Sequence, residues 1–254
     1  MGAHLTFAEE NTCQMRDDRV FQDWFPLGVA IDLVEGDVRE VSDAVKTQVG
    51  RWTGRERLED LESRHMDWNS LFGSIDVFTN VPTKFFCIPT NSQWTALWTN
   101  CFLCDGYDSL CLCLTKNHGL RTIHWKASDE PGIFQPGTNF CHRAISSVGE
   151  LEERIVHCSQ QDTRWEFHEN GRALPEEDLS LYNARDKRCR FNEEISIELL
   201  GRLGAEPREQ RFYDFSRPVR IIERIGFPDT VSRKDFAYIR ARVDRHKQRT
   251  SRHS

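Results

Sequence analysis

The tightest constraint on this chain lies between residues 27 and 50. Leu27 to Val34 is an apolar run rich in β-branched side chains, which is the composition of a β-strand. Gly36 then breaks the run, and Val38, Val41, Val45 and Val49 recur at spacings of three, four and four residues. That period puts all four valines on one face of a helix over 38–49. Asp37 with Glu40 forms a start like a capping box, and Gly50 stands where a helix C-terminus favours glycine. A strand leading directly into a helix points to an α/β architecture.

The rest of the chain extends that pattern. Residues 1–24 are polar without a clear period and read as a flexible arm. A short charged helix is predicted near Arg55–His65, with Leu58 and Leu61 as its apolar stripe. Strands follow at Ile75–Thr79, Lys84–Ile88 and Gln93–Asn100. In the last, Trp94, Ala96 and Trp98 alternate with Thr95, Leu97 and Thr99, as in a strand covered on both faces. Tyr107–His118 then reads as a helix closed by Gly119, and Leu120–Lys126 as a returning strand. A second unit is predicted from a strand at Thr138–Ile145 and a helix capped by Ser147 and Glu150. That helix would bury Val148, Leu151, Ile155 and Cys158. Thr163, Trp165 and Phe167 alternate in a further strand, ended by Asn170-Gly171. Beyond Pro175 the pattern turns helical, with Ile195, Leu199, Leu200 and Leu203 on one face up to Gly204. Residues 205–218 read as a linker and a short extended piece. A last helix is expected from Ser232, capped by Asp235 and burying Phe236, Ile239 and Val243.

Strand–helix–strand units of this length pair their strands in parallel through a right-handed crossover. The predicted fold class is therefore α/β, with α+β as the alternative. It has a mixed β-sheet, helices packed mainly on one face, and two strand–helix–strand units. The loop Gly132–Gly137, with Pro131 and Pro136, divides an N-terminal half (25–131) from a C-terminal half (132–245), unless 25–245 is a single domain. Residues 246–254 read as a disordered basic tail.

No apolar run reaches the eighteen or so residues of a membrane helix. The opening residues lack the basic segment and apolar stretch of a secretory signal, which points to the cytoplasm. Gly2 and Thr6 fit an N-myristoylation pattern, but one short enough to arise by chance. Nine cysteines, an odd number in a chain of this size, fit reduced thiols better than a disulfide scaffold. Net charge is unevenly spread. Residues 233–254 hold eight Lys/Arg against two Asp, so the overall −6 leaves −12 on the body. An acidic body repels nucleic acid and speeds encounter with basic partners. The basic tail could still grip nucleic acid, although it lacks interleaved aromatics after Tyr238.

Candidate chemistry is sparse. Cys101 and Cys104 form a CxxC, followed by Cys111 and Cys113. On the predicted helix Cys111 and Cys113 point about 200° apart, so both cannot face one zinc ion. Neighbouring strand residues such as Cys141 and His142 point to opposite faces, which denies them the contact of a nucleophile–base pair. His118, His124, His157 and His168 fall on separate elements. Phosphate-binding glycine loops, a nucleophile elbow and an HExxH helix are absent. Adjacent acids such as Glu152-Glu153, Glu176-Glu177 and Glu193-Glu194 fit helix starts better than acid–base catalysis. The expectation is therefore no catalytic residue, no metal and no cofactor.

Residues 93–101 and 119–130, with the helix between them, and then 165–204 give a tryptophan-rich strand, a helix, an alternating strand with its turn, and a long final helix. In this order residues 90–204 resemble cytoplasmic immunity proteins encoded beside bacterial polymorphic toxins. The resemblance implies a protein that binds one cognate toxin and occludes its active site, with a partner basic at the contact and no membrane. The acidic loops Asp129-Glu130 and Glu176-Glu177-Asp178 are the expected contact residues. An enzyme with an unrecognised site, or a nucleic-acid-associated protein using the tail, are the alternatives.

Overall fold

The computed structural model describes residues 30–53, 58–63, 66–73, 78–101, 107–128 and 136–225, with 233–234, 237–238 and 241. Its strands are β1 (Ala30–Glu35), β2 (Leu58–Ser63), β3 (Phe78–Thr79), β4 (Lys84–Pro89), β5 (Trp94–Thr99), β6 (Thr122–Ser128), β7 (Gly137–Ile145), β8 (Leu151–Gln161), β9 (Arg164–Asn170), β10 (Val219–Arg224) and β11 (Arg233–Lys234). Its helices are α1 (Val38–Thr53), α2 (Trp68–Gly73), α3 (Asp108–His118) and α4 (Glu193–Arg202). Nine strands form one sheet in the order β2-β10-β4-β5-β1-β6-β7-β8-β9, and β3 pairs separately with β11. The protein thus mixes α and β structure, with sheet dominant.

Every strand ladder among the described residues is antiparallel, which corrects the expected parallel pairing. The reason is visible around α3. Strands β5 and β6 do run in the same direction across that helix, but β1 lies between them and pairs antiparallel with both. The stretch read as a seam joins β6 to β7, which pair from Thr122↔Arg143 to Ser128↔Gly137, so both halves of the chain contribute to one sheet.

Two predicted helices are strand instead. Leu58–Ser63 pairs along its length with β10, whose ladder takes up its backbone groups. At the predicted final helix, Arg233–Lys234 pairs with β3 but residues 237–238 and 241 are helical, while Phe236, Ile239 and Val243 lie outside the described residues. The second case is β8. Its apolar spacing of three, four and three imitates a helix, but Arg154, Val156 and Cys158 are buried at period two. Ser147 and Glu150, read as a cap, belong to a hairpin turn in which Gly149 takes φ 83° and Val148 is 77% exposed. After Pro175 the chain makes two short 3-10 turns, Leu179–Asn183 and Lys187–Cys189, before α4 begins.

Three helix ends carry caps, while Gly50, read as a helix C-terminus, lies inside α1. The Asp37 carboxylate accepts from the N–H groups of Arg39 and Glu40, and Asn192 accepts from Ile195 N–H. Gly119 closes α3 at φ 71°. The two longest helices, α1 and α3, share one face of the sheet, where Val41, Val45, Val49, Leu110 and Leu114 pack on Val34, Phe85, Leu97 and Ile222. The other face carries the larger core of Trp94, Trp98, Trp125, Phe140 and Val156, under α2 and α4. Here two buried indole N–H groups pin the end helix: Trp125 donates to Ser196 Oγ and Trp94 to the Leu203 carbonyl, both at 2.9 Å. No helix among the described residues is long and apolar enough to cross a membrane.

Candidate functional site

Strand register gathers what the sequence scatters. Asp32, His124 and Cys141 stand directly opposite one another on β1, β6 and β7, on the face covered by α3. Asp32 Oδ1 lies 2.7 Å from His124 Nδ1, and Asp32 Oδ2 accepts the Tyr107 N–H at 2.9 Å. Arg143, two residues along β7, donates to both oxygens of Asp108 at 2.6 and 3.0 Å and to Glu153. The carboxylate, imidazole and thiol come in the order of a cysteine nucleophile with its base and orienter.

Their electrostatics point elsewhere. All three are enclosed, at 1% exposure for Asp32, 3% for His124 and 2% for Cys141. Burial works against the charged His124, but the hydrogen bond and charge of Asp32 outweigh it, and its pKa is raised. Burial drives the Cys141 thiol up to about 12, and the Cys111 thiol above it on α3 well beyond the ordinary range. A nucleophilic cysteine needs the opposite shift. The network acts as an anchor: Asp32 takes an N–H at the start of α3, and Arg143 grips its first residue.

Cys141 and His142 do point to opposite faces, since His142 stands opposite Ile123 of the other core. Burial, helped by Arg121, lowers the His142 pKa to about 4. Cys111 is fully buried and Cys113 half-buried, while Cys104 lies outside the described residues.

The expected contact acids divide. Asp129 and Glu130 lie outside the described residues. Glu177 is a correction, because its side chain is 0% exposed and offers a partner nothing. It accepts from Arg154 at 2.7 and 2.9 Å, from the Tyr182 hydroxyl and from Leu174 N–H. Burial opposes its charge, but these donors prevail and hold the carboxyl below its usual range. Asp178 is exposed and caps the turn at Leu179–Asn183 through Ser180 N–H, and the Glu176 carbonyl accepts from Arg202.

Residues of β7, of β9 and of the stretch leading into α4 line a hollow of about 190 Å³. Trp165 and Phe191 supply its aromatic wall, and Asp186 and Glu193 supply carboxylates. The Arg188 guanidinium stacks 5.0 Å from the Trp165 ring. Two caps hold the walls in place: Asp186 on Arg188 N–H and Asn192 on Ile195 N–H. Composition gave no sign of this hollow, because its walls come from three separate stretches of chain. Comparison with protein-family models, with curated proteins and with solved structures finds no match to this chain.

Proposed function

We propose that this protein works by recognition: it is a cytoplasmic immunity protein that binds a bacterial toxin, basic at its contact surface, and blocks it. The observation that carries the reading is the hollow at Trp165. An aromatic wall with two carboxylates at its rim suits an inserted lysine or arginine side chain, and tryptophan and arginine are the residues on which interface energies concentrate. Asp129, Glu130, Glu176 and Asp178 are the further contact acids of this proposal. The −12 charge of the body speeds encounter with such a partner. The reactive groups under α3 support the same reading, since they serve to hold a helix and their thiols stay protonated.

The test is co-expression with the product of the adjacent gene. Growth rescue and a stable complex are expected, and Trp165→Ala should weaken binding at least tenfold, the scale of a hot-spot truncation. A neighbouring product that neither binds nor harms growth would remove the immunity reading. A complex that forms unchanged with Trp165→Ala would remove the hollow from it.

A further inference from the structure

Strand β9 ends the nine-stranded sheet, and among the described residues no strand pairs with its outer side. Its inner ladder fixes which main-chain groups face outward. The two-residue turn Asp162-Thr163 closes on Gln161 and Arg164, with Asp162 at φ 54°. Residues flanking such a turn form a hydrogen-bonded pair, and bonded and non-bonded pairs alternate from there along an antiparallel ladder. Arg164, Glu166, His168 and Asn170 therefore direct their N–H and C=O groups to β8. Trp165, Phe167 and Glu169 direct theirs to the open edge.

An unpaired edge is a template for a further strand unless proline, a bulge or lysine blocks it. Strand β9 (RWEFHEN) contains neither proline nor lysine, and its register with β8 runs without interruption from Arg164 to Asn170. Its own charges select the partner. Two copies of β9 brought together antiparallel about Glu166 would set Glu166 against Glu166, and about His168 they would set His168 against His168. Centred on Phe167, they set Glu166 against His168 on both sides of the axis, Trp165 against Glu169 and Arg164 against Asn170. That register opposes no like charges, which cost stability across strands. It also lets the outward groups of Trp165, Phe167 and Glu169 exchange about six main-chain hydrogen bonds. Glu166 and His168 then form non-bonded pairs, where side chains approach most closely. His168 is exposed, and Lys187 holds only Oε2 of Glu166, which leaves Oε1 for the imidazole.

We propose that β9 is a self-association edge: a second copy of this chain pairs with it antiparallel about Phe167 and joins two nine-stranded sheets into one. A two-fold contact of this kind closes on itself, so assembly ends at a dimer. The inference concerns the chain alone and does not depend on the immunity reading.

Sedimentation of the whole protein between about 1 μM and 1 mM tests it, and a monomer–dimer equilibrium is expected. His168→Glu opposes Glu166 to a second carboxylate at two symmetric contacts and should weaken the dimer about tenfold. Glu166→Lys should weaken it as well, and the two changes combined should restore it, because the swap re-forms opposite-charge pairs. Amide exchange at Trp165, Phe167 and Glu169 should slow as concentration rises. A monomer across the whole range overturns the proposal. So does a dimer that both single variants leave intact, since its contact lies elsewhere. Slow exchange of these amides at every concentration also overturns it, and assigns the edge to a segment of the same chain.

Discussion

Two polar patches lie side by side on one face of the sheet, and their residues alternate along the same strands. In the first, Asp32, His124, Cys141 and Arg143 sit beneath α3, each charge matched by an opposite charge. In the second, Lys126, Asn139, His157 and His168 stand opposite one another from strand to strand. The histidine that found an aspartate became part of the scaffold. The histidines that found each other lie nearer the surface, where burial and then the charges of His168 and Lys126 lower the His157 pKa. Helix α3 meets β6 and β7 at the Thr122–Arg143 end, where Thr115 bonds Thr122 and Asp108 bonds Arg143.

The sharpest way to break this contrast is Asp32→Ala. It strands His124 in the interior and removes the acceptor of Tyr107 N–H, so a loss of about 3–5 kcal/mol is expected by chemical denaturation. Asn139→Ala in the open row should change stability by less than about 0.5 kcal/mol. Similar values for the two would mean that the anchor carries no special weight.

Next in size is the pH dependence, where two buried histidines act with opposite sign. His142 is lowered from 6.5 to about 4, so its contribution to stability is present above 6.5 and lost as pH falls towards 4. At 1.36 kcal/mol per unit this amounts to about 3 kcal/mol, and His142→Gln should flatten the acid-side slope. His124 is raised above 6.5, so its contribution is present below 6.5 and is lost as pH rises through its folded value. Denaturation curves between pH 4 and 8 would measure both slopes, and a shared sign would contradict the structure.

Thiol reactivity gives a smaller but cleaner contrast. Exposed Cys189 should be alkylated at least about a hundredfold faster than Cys111 or Cys141 at pH 8 in the folded protein. Rapid labelling of Cys141, read by peptide mass analysis, would reopen the nucleophile reading. Smallest of all is the coupling inside the open row. His168→Thr should move the titration midpoint of His157 upward, because one of the charges that lower it is gone. An unmoved midpoint would mean that the two rings do not sense each other.

Much of the fold could be read locally. Helix α1 follows from four valines at helical spacing, and β5 from tryptophans alternating with Thr95 and Leu97, all buried. Strand β8 was hidden because Leu151, Ile155 and Cys158 satisfy a helical period by coincidence. That one misreading also concealed the paired imidazoles. The turn Asp162-Thr163 leaves Gln161 opposite Arg164, and counting back from it puts His157 against His168. Asp162 at φ 54° is a conformation aspartate tolerates in tight turns, so the signal was present in the sequence. Nothing local announced Asp32–His124, whose partners are 92 residues apart. Glu177 looked like surface for the same reason, since its arginine lies 23 residues away on β8.

The sequence by itself determined the class of structure, most of the helix ends and the apolar faces, because periodicity and capping act within a few residues. Tertiary structure decided which charges are buried with a partner and which are left facing like charge. That choice depends on strand order, with β1 inserted between β5 and β6, and on where α3 meets the sheet. Both are settled by contacts between distant segments, which no local pattern encodes.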